Sequence, residues 1–307
     1  MAAQSARNRD EVAERAENIR TTVRPLHDPA VIRALLEPHR SFAAYAIGQL
    51  TPRLFPLVRC WFAEHDAGEA IVLHSSGGLG DAMMTLGDPT AVEAVLRLHR
   101  GPRQNFATCA PEHLPLIERY FKISQQTVMA RMLVRRTSFE PAADPADGHV
   151  RVLRLHASHA RAINRLYNTE GTPTFYSANH IENGYYHGVY YDGRLVAVAG
   201  THVVSPEEGI AVVGNVFTHP RHRGRGYATL ATGATTMALL NRCEDVVLTV
   251  DPKNVPAVRA YWRLGYSEVC RLIEAPVTRR DTFGLGAWMQ RSLAHWRGRG
   301  RGVEIVT

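Results

Sequence analysis

One stretch of thirteen residues limits what this chain can become. Val216-Phe217-Thr218-His219-Pro220-Arg221-His222-Arg223-Gly224-Arg225-Gly226-Tyr227-Ala228 runs from an apolar strand pattern, through a proline and two glycines, into a helical pattern. Glycines let a chain turn tightly and bring backbone N–H groups close to whatever occupies the bend. The following helix adds the positive end of its dipole, which suits an anion. Arg221, Arg223 and Arg225 supply charge in the same turn. These features fit a pyrophosphate. No GxxxxGK[ST] loop is present here, and GxGxxG fails because Thr229 stands where the third glycine is needed. A coenzyme A site remains.

Composition narrows the rest. The chain has 307 residues, which suggests two domains with full cores. Apolar residues make up 45% and charged residues 21%, which excludes disordered, collagen-like and coiled-coil chains. No apolar run is long enough to cross a membrane, and the first twenty residues lack the apolar core of a secretory signal. The four cysteines (Cys60, Cys109, Cys243 and Cys270) have no zinc spacing, so a reduced cytoplasmic protein with no metal is expected. Net charge is +7, and lysine occurs only at Lys122 and Lys253. The arginine surplus has two explanations, coding bias or an anionic ligand. Whole-chain charge does not separate them; the cluster at Arg221–Arg225 is the local sign of a ligand. The run RGRGRG at Arg297–Gly302 could touch phosphates. No interleaved aromatics or nucleic-acid module accompany it, so it reads as a solvated end.

The pattern of elements predicts an α+β protein in four parts. Residues 1–24 read as a polar helical tail. Residues 25–140 hold a first α+β domain, with paired strands at Leu57–Glu64 and Glu69–His74, the glycine-rich loop Ser75–Asp81, and a helix at Thr90–Arg100. Thr127–Val134 reads as strand or short helix. Glu140–Gly148 is the linker. Residues 149–275 form the second domain: strand, helix, three antiparallel strands around the Asp192-Gly193 turn, helix, strand, helix. Residues 276–307 are a C-terminal extension with an amphipathic helix at Trp288–Trp296. No internal repeat is visible.

A second motif follows the bend. Leu248-Thr249-Val250-Asp251-Pro252-Lys253-Asn254 leads into Ala257, Tyr261, Leu264, Gly265 and Tyr266. The two together resemble the GNAT family of acetyl-CoA-dependent N-acyltransferases. Its [RQ]xxGx[GA] signature is met by Arg223, Gly226 and Ala228, and its NxxAxxxYxxxGF ending is met with Tyr266 replacing Phe. The resemblance covers His149 to about Ala275. It implies a mixed, mostly antiparallel sheet flanked by helices, and acetyl-CoA or another acyl-CoA as co-substrate. The layout of the whole chain is also similar to glycine-N-acyltransferase-like members. In those a degenerate GNAT half precedes a catalytic one, so the first half would shape the acceptor cleft or an interface.

By the same resemblance, Val216, Phe217 and Thr218 would present backbone groups to the pantetheine arm and thioester. Arg223, Gly224, Arg225, Gly226, Tyr227, Ala228 and Thr229 would cradle the pyrophosphate. Asn254 would hydrogen-bond the pantetheine, and it is also placed to cap a helix. Tyr261 would protonate the departing thiolate. In peptide-amine members a Glu can occupy the strand position held by Thr249, so a small-molecule amine is expected rather than a protein. His219, His202, Glu182 and Tyr190 are the candidate bases. Tyr185, Tyr186, Tyr190 and Tyr191 could line an acceptor pocket, although strand alternation sends half of them to the other face. The sequence also leaves open a homodimer, and a catalytically silent acyl-CoA-binding module acting as sensor or scaffold.

Overall fold

Alternating apolar runs punctuated by glycine and proline fold into fourteen strands and nine α-helices among the described residues of the computed structural model. Those residues are 21–76, 80–143, 145, 147–171, 175–281, 285–298 and 304–306. In chain order the first half contains β1 (Thr21–Leu26), α1 (Pro29–Leu36), α2 (Ala44–Ile47), β2 (Val58–His65), β3 (Gly68–Ser75) and β4 (Ala82–Gly87). It continues with α3 (Pro89–Leu98), β5 (Gln104–Cys109), α4 (Leu114–Tyr120), β6 (Phe121–Ile123) and β7 (Thr127–Val134). The second half opens with β8 (Val150–Leu155), α5 (Ala160–Tyr167), α6 (Ala178–Asn183), β9 (Tyr186–Tyr191), β10 (Arg194–Ser205) and β11 (Ile210–Thr218). It closes with α7 (Tyr227–Leu240), β12 (Asp245–Val250), α8 (Val255–Arg263), β13 (Ser267–Arg279), α9 (Leu285–Arg297) and β14 (Glu304–Val306).

The two halves repeat one order, apart from the short extra strand β6 before β7 in the first: strand, two helices, three antiparallel strands, crossover helix, parallel strand, helix, closing strand. In the first, β4 pairs parallel with β5 across α3; in the second, β11 pairs parallel with β12 across α7. The repeat lies in topology rather than in residue identity, which is why the sequence hides it.

Packing divides the chain differently from the contiguous domains 25–140 and 149–275. One unit comprises residues up to Leu35, Leu57–Thr127 and Ile273 onward; the other comprises Leu36–Pro56 and Val128–Leu272. The reason is the closing strand of each half. β7 pairs antiparallel with β12 (Val246 opposite Val134, Val250 opposite Ala130), so it completes the second unit. β13 pairs antiparallel with β5 from Ile273 opposite Cys109 to Thr278 opposite Gln104, so it completes the first. Of the tail expected at 1–24, only Thr21–Arg24 falls within the described residues, and it is strand β1, paired with β2. The Glu140–Gly148 linker also belongs to the second unit. Phe139 and Ala142 pack on its core, and Glu140 N–H donates to Leu264 O at 3.2 Å.

In the first unit α3 covers β2 and β3 through Ala91, Val92, Val95 and Leu98. In the second, α7 and α8 cover one face of the sheet, burying Leu239, Leu264 and Tyr266 against Met132, Leu248 and Val250. Gly265 ends α8 with φ +85°, and a Cβ there would lie 1.8 Å from Ser138 O. Gly265→Ala should therefore lower stability by more than the ~1–3 kcal/mol of a strained backbone alone. Denaturant unfolding checks this; a loss under 0.5 kcal/mol would mean the turn relaxes freely.

No helix among the described residues is long and apolar enough to cross a membrane. No group of His, Cys, Asp or Glu among them could hold a metal ion.

Candidate functional site

The parallel strands β11 and β12 part company. Their register runs from Ile210 opposite Asp245 to Val213 opposite Leu248 and ends there, although β11 continues to Thr218. The cause sits at Asn215, whose φ is +53°. Asparagine is one of the few non-glycine residues that visits this region readily. Three tyrosines hold it. Its Oδ1 accepts from Tyr176 OH at 2.9 Å, its Nδ2 donates to Tyr186 OH at 3.0 Å, and Tyr167 OH donates to its backbone carbonyl. The register of β10 against β11 also shifts, between Val198 and Gly200 and again between Thr201 and Val203. Val216, Phe217 and Thr218 are thus half-buried beyond the last β12 pair. Val216 packs on the core beneath α8, the Phe217 ring lies 4.9 Å from that of Tyr167, and Thr218 Oγ1 is buried with no hydrogen-bond partner among the described residues.

The bend after β11 is open. Arg223, Gly224, Arg225 and Gly226 are exposed. Gly224 and Gly226 have φ of +77° and +79°, and nothing lies within 4 Å of a Cβ built on either. Gly226 is the N-cap of α7 and no side chain caps that helix. The first amides of α7, from Tyr227, Ala228 and Thr229, therefore lack a side-chain acceptor. Arg223 is held by Glu170 at 2.6 Å and by Thr218 O at 3.3 Å, and Arg225 lies 5.8 Å from the Tyr191 ring. The first unit differs at the equivalent place. There Asp88 caps α3, its carboxylate accepting from Thr90 N–H at 2.9 Å and Ala91 N–H at 3.0 Å. The protein's own carboxylate fills the anion position in that half. Part of the Ser75–Asp81 loop lies outside the described residues.

Tyr261 sits on α8, buried against Tyr266, Leu264 and Val250 in the cluster that Val216 also touches. Among the described residues no group pairs with its hydroxyl. Burial pushes its pKa up to about 12. Asn254 caps α8, its Oδ1 accepting from Ala257 N–H at 3.3 Å, so its carbonyl is committed to the helix and its amide N–H remains as donor.

The candidate bases separate. His219 Nδ1 accepts from Arg221 N–H, and Glu182 accepts from Ala157 N–H, so both serve as local caps. Tyr190 packs against the core under α5, where burial raises its pKa. His202 stands at the β10 register shift, and its ring occupies the space beside Gly214, 5.8 Å from Tyr45. The four tyrosines do not line one pocket. Tyr186 and Tyr190 face α5, Tyr191 faces α7, and Tyr185 packs beneath α8. Sequence reasoning missed Asn215 and its tyrosine cage. The signal was a polar Gly-Asn pair inside an apolar strand run, a mark of a bulge.

Residues 152–266 match the model of the Acetyltransferase (GNAT) family. A solved Drosophila protein is similar over 84% of this chain and 98% of its own length, with TM-score 0.61 and 14% identity. A GCN5-related N-acetyltransferase from Kribbella flavida is similar over 69% of this chain and 86% of its own, with TM-score 0.50 and 20% identity. A tandem GNAT protein from the clavulanic acid biosynthesis pathway covers 83% of this chain and 98% of its own, with TM-score 0.46 and 15% identity. No curated protein matches the chain.

Proposed function

We propose that this chain, whose residues 152–266 are a GNAT acetyltransferase domain, moves an acetyl or other short acyl group from acyl-CoA to the amine of a small molecule. The observation that carries the reading is the open bend at Arg223–Gly226. Its two left-handed glycines leave an unfilled cradle before an uncapped helix, beside a strand freed from its neighbour. That combination fits the diphosphate and arm of a coenzyme A.

When bound, acyl-CoA supplies a thioester carbonyl for direct attack by the amine. A C–N bond forms and the C–S bond breaks; one proton leaves nitrogen and one reaches sulfur. The α7 amides and Arg225 hold the diphosphate by backbone donors and charge. A backbone N–H of Val216–Thr218 is the oxyanion donor, an interaction worth ~3 kcal/mol in other enzymes. Tyr261 gives its hydroxyl proton to sulfur. Its raised pKa keeps it protonated at every physiological pH. Elsewhere in the chain, Asp88 leaves the first unit without an open cradle.

Calorimetry with acetyl-CoA, beside a thiol-release assay on an amine panel, tests this. One acetyl-CoA per chain and turnover of at least one amine are expected. Two sites per chain would mean that Asp88 gives way to the ligand. Binding without turnover across the panel would favour a silent acyl-CoA sensor or scaffold instead.

A further inference from the structure

The helix α9 packs on the first unit through its small and polar residues. Ala287 and Ala294 are buried there, Arg291 Nη1 donates to Leu98 O at 2.7 Å, and Gln290 Oε1 accepts from Arg100 at 3.4 Å. The large apolar residues face the other way. Trp288, Met289, Leu293 and Trp296 are each more than half exposed, Trp296 at 66%. At about 3.6 residues per turn these four fall on one side of the helix, opposite Ala287 and Ala294. A helix that serves only its own core turns its large apolar residues inward and its polar ones outward. In α9 the arrangement is reversed, so packing within the unit does not account for two tryptophans, a leucine and a methionine. A contiguous apolar face of this kind marks an interaction surface.

The surrounding charge selects the partner. Over residues 282–303 the sequence holds Arg291, Arg297, Arg299 and Arg301 and no acidic residue. The acids at the two ends of that stretch are taken up inside the unit: Asp281 by Arg100 at 2.8 Å and Arg279 at 2.7 Å, and Glu304 by His99. His295 and Arg297 flank Trp296 and are exposed. A second copy of the chain would set one cationic stripe against another, and like charges brought together disfavour that pairing. The outside of a single helix is convex, so a protein partner must supply the groove, whereas a fluid bilayer closes around it. Tryptophan suits the boundary where an apolar phase meets wet polar groups. Trp288 and Trp296 stand about 12 Å apart along the helix axis, with Met289 and Leu293 between them. Aromatic and aliphatic residues on one face, arginine beside them and no acid form the arrangement that settles into the headgroup layer of an anionic bilayer.

We propose that α9 docks the protein on membranes of anionic phospholipid, with Trp288, Met289, Leu293 and Trp296 among the headgroups and upper acyl chains and Arg297 on the lipid phosphates. Arginine suits that task because its planar fork matches phosphate oxygens. The contact is peripheral and reversible, since one short helix face buries little apolar surface and its electrostatic share is screened by salt. It uses neither the bend at Arg223–Gly226 nor Tyr261, so it stands apart from the acyltransferase reading. It would hold the chain beside a membrane whatever amine is acylated.

Co-sedimentation of the full chain with lipid vesicles tests this. The protein should bind vesicles of phosphatidylserine mixed with phosphatidylcholine, and bind phosphatidylcholine alone at least about tenfold more weakly. Raising salt from about 0.1 M to about 0.5 M should release most of it, because the Debye length shortens. A double variant carrying Trp288→Gln and Trp296→Gln should bind the anionic vesicles at least about tenfold more weakly, and Arg297→Gln should fall between it and the wild type. Both tryptophans are exposed, so the double variant should keep the circular dichroism spectrum and unfolding midpoint of the wild type. Trp262→Gln, at an exposed tryptophan on α8, should bind vesicles as the wild type does. No association with anionic vesicles, equal association with neutral ones, or full binding by the double variant overturns the proposal. So does a wild-type dimer in sedimentation velocity that the double variant turns into a monomer, since a second copy would then cover α9. None of these readouts uses acyl-CoA, so failure here leaves the acyltransferase reading untouched.

Discussion

Gly226→Val is expected to abolish acyl-CoA binding while leaving the protein folded. The residue has φ +79°, and a β-branched side chain there is a genuine outlier. Space is not the obstacle, because nothing lies within 4 Å of the built Cβ. Two effects combine. The backbone must leave its left-handed conformation at a cost of ~1–3 kcal/mol, which swings the first α7 amides away from the bend. The new methyls also fill the surface across which a diphosphate approaches those amides. A loss of at least ~100-fold in affinity follows, since each 1.4 kcal/mol is tenfold. Gly226→Ala keeps the strain but adds one methyl group and should fall between. Calorimetry with acetyl-CoA reads both variants, and circular dichroism reports the fold. Normal binding by a folded Gly226→Val protein would remove the bend from the site.

The features legible in the sequence were the local ones. The Arg223–Ala228 bend and the Asn254–Tyr266 run could be read because each needs particular residues at fixed spacing within one turn. The β2–β3 and β9–β10 hairpins were legible for the same reason. Contacts between distant segments were not. Thr127–Val134 has the composition of an apolar strand, and nothing in it says that its partner is β12, more than a hundred residues away, rather than the strands just before it. The exchange of β7 and β13 between the units was therefore hidden, and with it the burial of Arg131 beside Thr249. Arg131 in the run MARMLV looks like the polar side of a half-buried strand. Only the pairing of Thr249 with Arg131 shows that the position where a Glu can sit in peptide-amine members faces a cation here. The part played by Asp88 at the start of α3 depends on the topological repeat that gives α3 the role of α7, and no local spacing announces that repeat. The tyrosines of Tyr185–Tyr191 are divided among α5, α7 and α8, a wider separation than strand alternation alone implies.

The second large effect falls on Tyr261. Tyr261→Phe is expected to lower turnover by about 10²-fold or more, with acyl-CoA affinity within twofold of the wild type. The hydroxyl makes no hydrogen bond to the described residues, so removing it leaves no orphaned protein group. The ring contacts with Tyr266 and Leu264 survive the change. Stability should shift by less than ~0.5 kcal/mol, as for a substitution that breaks no native interaction. A fall in turnover thus reports chemistry and not unfolding. The pH profile gives an independent check. A phenol lifted to about 12 by burial cannot supply the limb of a profile below pH 10. Any limb near neutrality must come from the amine or its base and should persist in Tyr261→Phe, at the lower rate. Should turnover stay unchanged in the variant, the proton for the leaving sulfur comes from water or from another donor. Tyr261 would then be one more aromatic in the core beneath α8, and the freed strand beside the bend would carry the catalysis without it.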